Sequence, residues 1–331
     1  MKLSAVLQIL FVCFAAALTI FFRQTPEFAT LSITFVSIFL EALPFMLLGS
    51  LASGIIEVFV SQERIAALFP KSKSYTIFLA AGMGLVLPIC ECAIVPIIRR
   101  LLHKGFPLGA SIAFLIGAPI VNPLVAVSTA VAYGYDGSIV FERLAFGYLL
   151  AVGIGLLVNR YSDSKNVIAV HLPFYSDISI CGCGHNHCSY QLDSFLGRLI
   201  QAIRHAAEDF SDVVRFLVFG AFISGILQTY VSRGIFTALS DSVVLSVSAM
   251  MFLAIILNLC SEADAFVAVS FRSAGVPLTA QMAFMVLGPM LDIKLMLMYL
   301  SVFKKRFIIS LSCTTFLLVF LCMIFRGFFT Q

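Results

Sequence analysis

Pro88-Ile89-Cys90-Glu91-Cys92 stands in the middle of a run, Thr76–Ile98, that otherwise reads as membrane-spanning helix. Leu259-Cys260-Ser261-Glu262-Ala263-Asp264 stands in the middle of another, Val243–Val269. Thiols and carboxylates at membrane depth are costly and mark functional sites by default. Residues two apart on a regular helix point about 200° away from each other, so Cys90 and Cys92 can address one centre only where the helix is unwound. Pro88 supplies the interruption, because it lacks an amide donor and disrupts the turn before it. Irregular backbone at that depth is tolerated where protein buries it or a wet cavity runs beside it. A simple proline kink with two small packing cysteines would leave Glu91 unexplained.

Outward from these segments the chain is overwhelmingly apolar. Of its 331 residues, 61% are hydrophobic and 11% charged, against about 25% charged in soluble domains. Apolar segments lie at Leu3–Phe22, Thr30–Val60, Thr76–Ile98, Phe106–Ala132, Leu144–Val158, Val213–Val231, Val243–Val269, Pro277–Val302 and Phe307–Ile324. A helical span needs about 20 such residues, and the fold class is therefore an all-α polytopic membrane protein. Lys2 followed by an apolar run with Ala15-Ala16-Ala17 looks like a signal peptide. The run is longer than a signal core, and a second span follows closely, which favours an uncleaved first span. The net charge of +4 is spread over short loops and gives no reason to expect nucleic acid.

Shifting the chain by 170 residues aligns Gly105-Phe106-Pro107-Leu108 with Gly275-Val276-Pro277-Leu278, Cys90 with Cys260, Pro119 with Pro289 and Asn122 with Asp292. Glycine, proline and cysteine matching at one offset points to an internal duplication. The organisation expected is an extra N-terminal span in 1–29, a first membrane repeat in 30–158, a linker in 159–212 and a second repeat in 213–331. If every segment crossed, Arg64, Lys71 and Lys73 would lie opposite Arg99, Arg100 and Lys104, against the positive-inside tendency. Letting 76–98 and 243–269 re-enter removes the conflict. Seven spans plus two re-entrant segments result, the repeats become inverted, and Arg143 falls in an outer loop while Lys294 stays within the membrane. Inverted repeats with broken helices are common in secondary transporters. A chain of eight or nine full spans is the alternative.

Further motifs fill out the site. Cys260, Glu262 and Asp264 place a thiol and two carboxylates in the second half, where acids serve as proton or ion sites. Gly117-Ala118-Pro119-Ile120-Val121-Asn122-Pro123 and Gly288-Pro289-Met290-Leu291-Asp292 break two apolar segments at equivalent places, and such breaks expose backbone groups to a substrate path. Asp292 and Lys294 are candidates to pair with acids of the other half, or with each other. Gly49-x-x-x-Ser53, Ser50-x-x-x-Gly54 and Gly220-x-x-x-Ser224 are small-residue packing patterns. In the linker, Cys181, Cys183, His185, His187 and Cys188 form a cluster that suits zinc or another thiophilic ion, at a spacing that fits no standard zinc module. No resident cofactor is required elsewhere. Nothing indicates an enzyme, and there is no phosphate-binding Gly-x-x-x-x-Gly-Lys-Ser/Thr.

The Pro-x-Cys-x-Cys segment, Gly-x-Pro-Leu-x-x-x-x-Ala-Phe, the Ala-Pro-x-x-Asn-Pro break and Cys-Ser-Glu-Ala-Asp-Ala-Phe together resemble the predicted permeases related to ArsP-type arsenical exporters. The similarity covers most of 30–325. It implies an efflux permease for trivalent arsenicals in the bacterial plasma membrane. Trivalent arsenic and antimony bond to thiolates, which makes Cys90, Cys92 and Cys260 the candidate ligands, and thiols that lose protons on binding make protons the expected coupling ion. The cysteine–histidine loop departs from the family pattern. It keeps open a permease for zinc or another soft ion, a cytoplasmic metal-handling partner, or a non-transporting subunit that anchors such a partner.

Overall fold

Apolar sequence that must satisfy its own backbone hydrogen bonds folds as helix, and every described element of the computed structural model is helical. The structure describes residues 26–59, 74–87, 89–162, 167, 195–230 and 242–329. The first apolar run, Pro88 and the 181–188 cluster lie outside the described residues. In the first half, α1 (Pro26–Phe59), α2 (Tyr75–Gly82, extended by a 3-10 turn to Leu85) and α3 (Glu91–His103) are followed by α4 (Leu108–Gly117), α5 (Pro123–Ala132) and α6 (Gly137–Tyr161). The second half comprises α7 (Phe195–Tyr230), α8 (Val243–Leu257), α9 (Asp264–Ser270), α10 (Leu278–Leu287), α11 (Ile293–Tyr299) and α12 (Lys305–Phe329). The boundary expected at 212/213 falls inside α7, which runs unbroken from the polar side of the linker into the apolar segment.

Among the described residues, three helices are long and apolar enough to cross a membrane unaided: Phe28–Phe59, Gly137–Tyr161 and Lys305–Phe328. The others are short. A ten-residue helix such as α4 or α5 rises about 15 Å, half the hydrocarbon thickness, so such pieces act in pairs. Both breaks fall where the sequence places them. Pro119 lies in the turn after α4, Pro123 is the first residue of α5, and Pro289 lies in the turn after α10.

Side-chain register fixes how the pieces run. α3 lies parallel to α1: Gly49 faces Ala93, Ser53 Oγ lies 3.1 Å from the Pro96 carbonyl and Lys104 Nζ donates to that of Glu57 (2.5 Å). α7 runs antiparallel to α1, with Gly54 beside Ala202, and Phe222 edge-on to Phe35. α2 and α4 are parallel, with Gly117 against Ala81 and Gly84 against Ala118, and α6 runs against both, with Gly109 beside Asn159 and Gly155 touching Ile77. The end of α1, the start of α2, the end of α3, the start of α4 and the end of α6 therefore gather at one end of the bundle. In the second half, Gly327 near the end of α12 meets Val243 and Thr279, at the starts of α8 and α10. Arg326 on that last turn donates from Nε to Glu142 (3.0 Å), near the start of α6, which locates this group at the opposite end.

Reciprocal packing joins the halves. α5 of the first half packs on α9 of the second, and α11 of the second packs on α3 of the first. The buried core collects around these crossings, with Phe114 and Phe284 fully enclosed at matching positions on α4 and α10.

Candidate functional site

Two unwound stretches meet at the centre. After the 3-10 turn residues 86–87 and 89–90 are non-helical; the backbone of Cys90 is extended (φ −76°, ψ 168°), and its carbonyl accepts from Ala93 and Ile94 to begin α3. In the second half Asn258 adopts the left-handed conformation (φ 51°) that ends α8. Asparagine is one of the few residues other than glycine to take that conformation routinely. The carbonyl of Cys260 then accepts from Ala263 and Asp264, as that of Cys90 does in α3. Glu91 and Asp264 each become the first residue of a returning helix, where the macrodipole favours a carboxylate.

A cavity of about 20 Å³ lies between them, room for one water-sized occupant. It is lined by Cys90, Glu91 and Cys92 of the first half, by Asn258, Cys260, Glu262 and Lys294 of the second, and by Glu41 with its apolar neighbours on α1. Residues that pair at the 170-residue shift also meet in space: Ser261 Oγ lies 3.5 Å from Glu91 Oε2 and 3.4 Å from Glu262 Oε2, with one proton to donate to either. Lys294, 2% exposed, puts Nζ 3.4 Å from Glu91 Oε1 and 3.9 Å from Asp292 Oδ2. Cys90, Cys92 and Cys260 carry free thiols. Among the described residues no three His, Cys, Asp or Glu side chains already stand close enough to cage a metal ion.

Of the described candidates, Asn122, Asp264 and Asp292 stand outside this cavity. Asn122 caps α5 by accepting from the Leu124 amide (2.9 Å), and Asp292 caps α11 by accepting from that of Leu295 (2.5 Å). Asp264 turns instead to Arg143, whose Nη2 lies 3.7 Å from its Oδ2. Arg143, expected in an outer loop, is fully buried in the second turn of α6. It donates to Thr129 Oγ1 (2.8 Å) and to the carbonyls of Ser261 (2.8 Å) and Met285 (3.2 Å). The physical reason is that α6 begins at Gly137, well before the hydropathy of the segment rises, so a charged residue enters the bundle. A cation that satisfies three partners from both halves escapes the cost of burial alone.

Sequence reasoning also passed over Glu41, one acid in an otherwise apolar span, and a polar knot at the end where α1 and α3 finish. Arg100 grips Asp209 with two nitrogens (2.8 and 3.0 Å), Ser53 donates to the same carboxylate (2.6 Å), and Arg99 reaches Asp212 (2.9 Å). The available signal was Ser53-x-x-x-Glu57 on the same helix stripe as the small residues that bring α1, α3 and α7 together.

A bundle of half-helices breaking around buried thiols and acids is the build of a multi-pass membrane transport protein. Residues 27–328 match a family described as predicted permeases, and the chain belongs to that family. It is 40% identical over 285 residues to UPF0718 protein YcgR of Bacillus subtilis, covering 86% of this chain and 92% of that one. It is 36% identical over 291 residues to a Streptococcus mutans protein named "Putative two-component membrane permease complex subunit", covering 88% and 93%. A UPF0718 protein of Methanocaldococcus jannaschii shares 32% over 129 residues, 38% of this chain and 34% of that one. No solved structure matches.

Proposed function

We propose that this permease exports a thiophilic metalloid, a trivalent arsenical or antimonial, across the bacterial plasma membrane by alternating access. The observation that carries the reading is the meeting of Cys90 and Cys92 from one half with Cys260 from the other on a single cavity. A monomethylated arsenical offers two ligand positions, which Cys90 and Cys92 fill. Inorganic arsenite offers three and needs Cys260 to close in from the opposite half. Glu91 and Glu262, on the same cavity, are the groups proposed to exchange protons during turnover.

The register of the helices supports inverted repeats with re-entrant segments. In this reading the segment from α2 to α3 leaves and returns to one end of the bundle, and that from α8 to α9 to the other, in keeping with which helix ends lie together. Arg99, Arg100, Lys104 and Arg160 gather at the first end, which the positive-inside tendency assigns to the cytoplasm together with the 159–212 linker. There the 181–188 cluster would hold zinc or another thiophilic ion and hand cargo to the cavity or to a metal-handling partner. The name of the Streptococcus mutans relative favours a partner protein: in this second reading the chain is the membrane subunit of a two-part system. Transport of a soft dication by the same cavity is the competing substrate assignment.

Everted membrane vesicles containing the chain test the proposal. Gradient-dependent accumulation of methylarsenite or arsenite supports export. Absence of accumulation, with correctly inserted protein, moves the assignment to a soft metal ion or to an anchoring subunit.

A further inference from the structure

We propose that Lys294 is a charge filter: it lets the cavity accept neutral thiophilic species and turns dications away. The inference rests on reading this cavity as the transport site. Three carboxylates (Glu41, Glu91 and Glu262) and three thiols line it, donor types that suit soft dications once they close in, although among the described residues no three of them stand at caging distance. Among the described residues Lys294 is the one basic side chain along that lining. Its place is held by the backbone: a Cβ on Gly220 would lie 2.8 Å from the Lys294 Cα, so glycine on α7 lets α11 seat the lysine this deeply. The location runs against local preference, since the first turn of a helix disfavours a cation. Nζ is suspended between Glu91 (3.4 Å) and Asp292 (3.9 Å), facing the cavity with donors to spare. It takes up the carboxylate that an incoming dication would need.

The two kinds of cargo place different demands on that ammonium. When a monomethyl arsenous acid meets two thiols, two As–S bonds form and two As–O bonds break. Each thiol proton leaves with a hydroxide as water, arsenic stays trivalent, and the charge of the cavity does not change. The Lys294–Glu91 pair is undisturbed. A dication that displaces both thiol protons also leaves the net charge unchanged, but two thiolates do not complete its coordination: it needs a carboxylate beside Cys90 and Cys92, and Glu91 is already engaged by Lys294. Lys294 therefore penalises the second process and spares the first.

The test is protection of Cys90 and Cys92 from maleimide in the purified full-length protein, read peptide by peptide by mass spectrometry so that the 181–188 cysteines do not interfere. Cd2+ serves as the dication probe and phenylarsine oxide as the neutral arsenical probe. Lys294→Met and Lys294→Gln should each lower the Cd2+ concentration giving half protection by about tenfold, the consequence of releasing the Glu91 carboxylate as a further ligand. Phenylarsine oxide protection should stay within about threefold, and Lys294→Arg should behave as wild type. Unchanged Cd2+ protection in both neutral variants, or equal shifts for the two probes, overturns the filter. The readout is binding, so a chain without flux can still show the Lys294 effect. Flux without that effect removes only the filter.

Discussion

Arg143 with Asp264 and Lys294 with Glu91 are both buried ion pairs that reach from one half of the molecule to the other, yet they are built in opposite ways. Arg143 is held by a hydroxyl and two backbone carbonyls besides its carboxylate, and none of its partners lines the cavity. Gly288 packs directly against that carboxylate, where a Cβ would come within 2.9 Å of Oδ2. Lys294 straddles two carboxylates at longer range and looks into the cavity. One pair fastens the halves together, and the other leaves a charge where cargo arrives. A guanidinium that never deprotonates suits the first task, and a compact ammonium on a flexible stem suits the second.

Breaking the fastener should have the largest effect on stability. Arg143→Met leaves Asp264 buried without its cation and should cost about 3–5 kcal/mol, seen as lost folded yield and an early thermal transition in detergent. Adding Asp264→Leu should restore part of that loss, because an apolar pair carries no desolvation cost. Lys294→Met should cost clearly less than Arg143→Met in the same assay, since Glu91 keeps the hydroxyl of Ser261 and borders a cavity with room for a water-sized group. Equal costs would erase the contrast. Asp209→Asn, at the knot between α1, α3 and α7, should fall between, at about 1.5–3 kcal/mol for charge-assisted hydrogen bonds. The smallest change belongs to Asn122→Ala, a lost helix cap worth about 1 kcal/mol.

Much of this plan was legible in the sequence. Prolines and glycines at one offset announced the breaks, and Cys90 and Cys260 announced the two stretches that line the cavity. The small-residue stripe on α1 announced close helix contact, which Gly49 and Gly54 make against α3 and α7. Pairing of Lys294 with an acid of the opposite half was among the expectations, and Glu91 is that acid. Arg143 was hidden because hydropathy marks where a segment becomes apolar, whereas the helix begins at its Asp136 cap two turns earlier. Glu41 was hidden for the opposite reason: one acid in a long apolar run barely shifts the average. Asp209 could not be located because its burial depends on Arg100 and Ser53, both far away along the chain. Local pattern finds breaks and caps; partners across the bundle require the fold.

The measurement closest to the central claim is methylarsenite uptake by everted vesicles carrying either Cys90→Ser with Cys92→Ser or Cys313→Ser with Cys322→Ser. The first pair lines the cavity, while Cys313 and Cys322 lie on α12 away from it. The account predicts that the first double variant loses gradient-dependent uptake and that the second keeps it, at equal levels of inserted protein. Full uptake by the Cys90, Cys92 variant would contradict it.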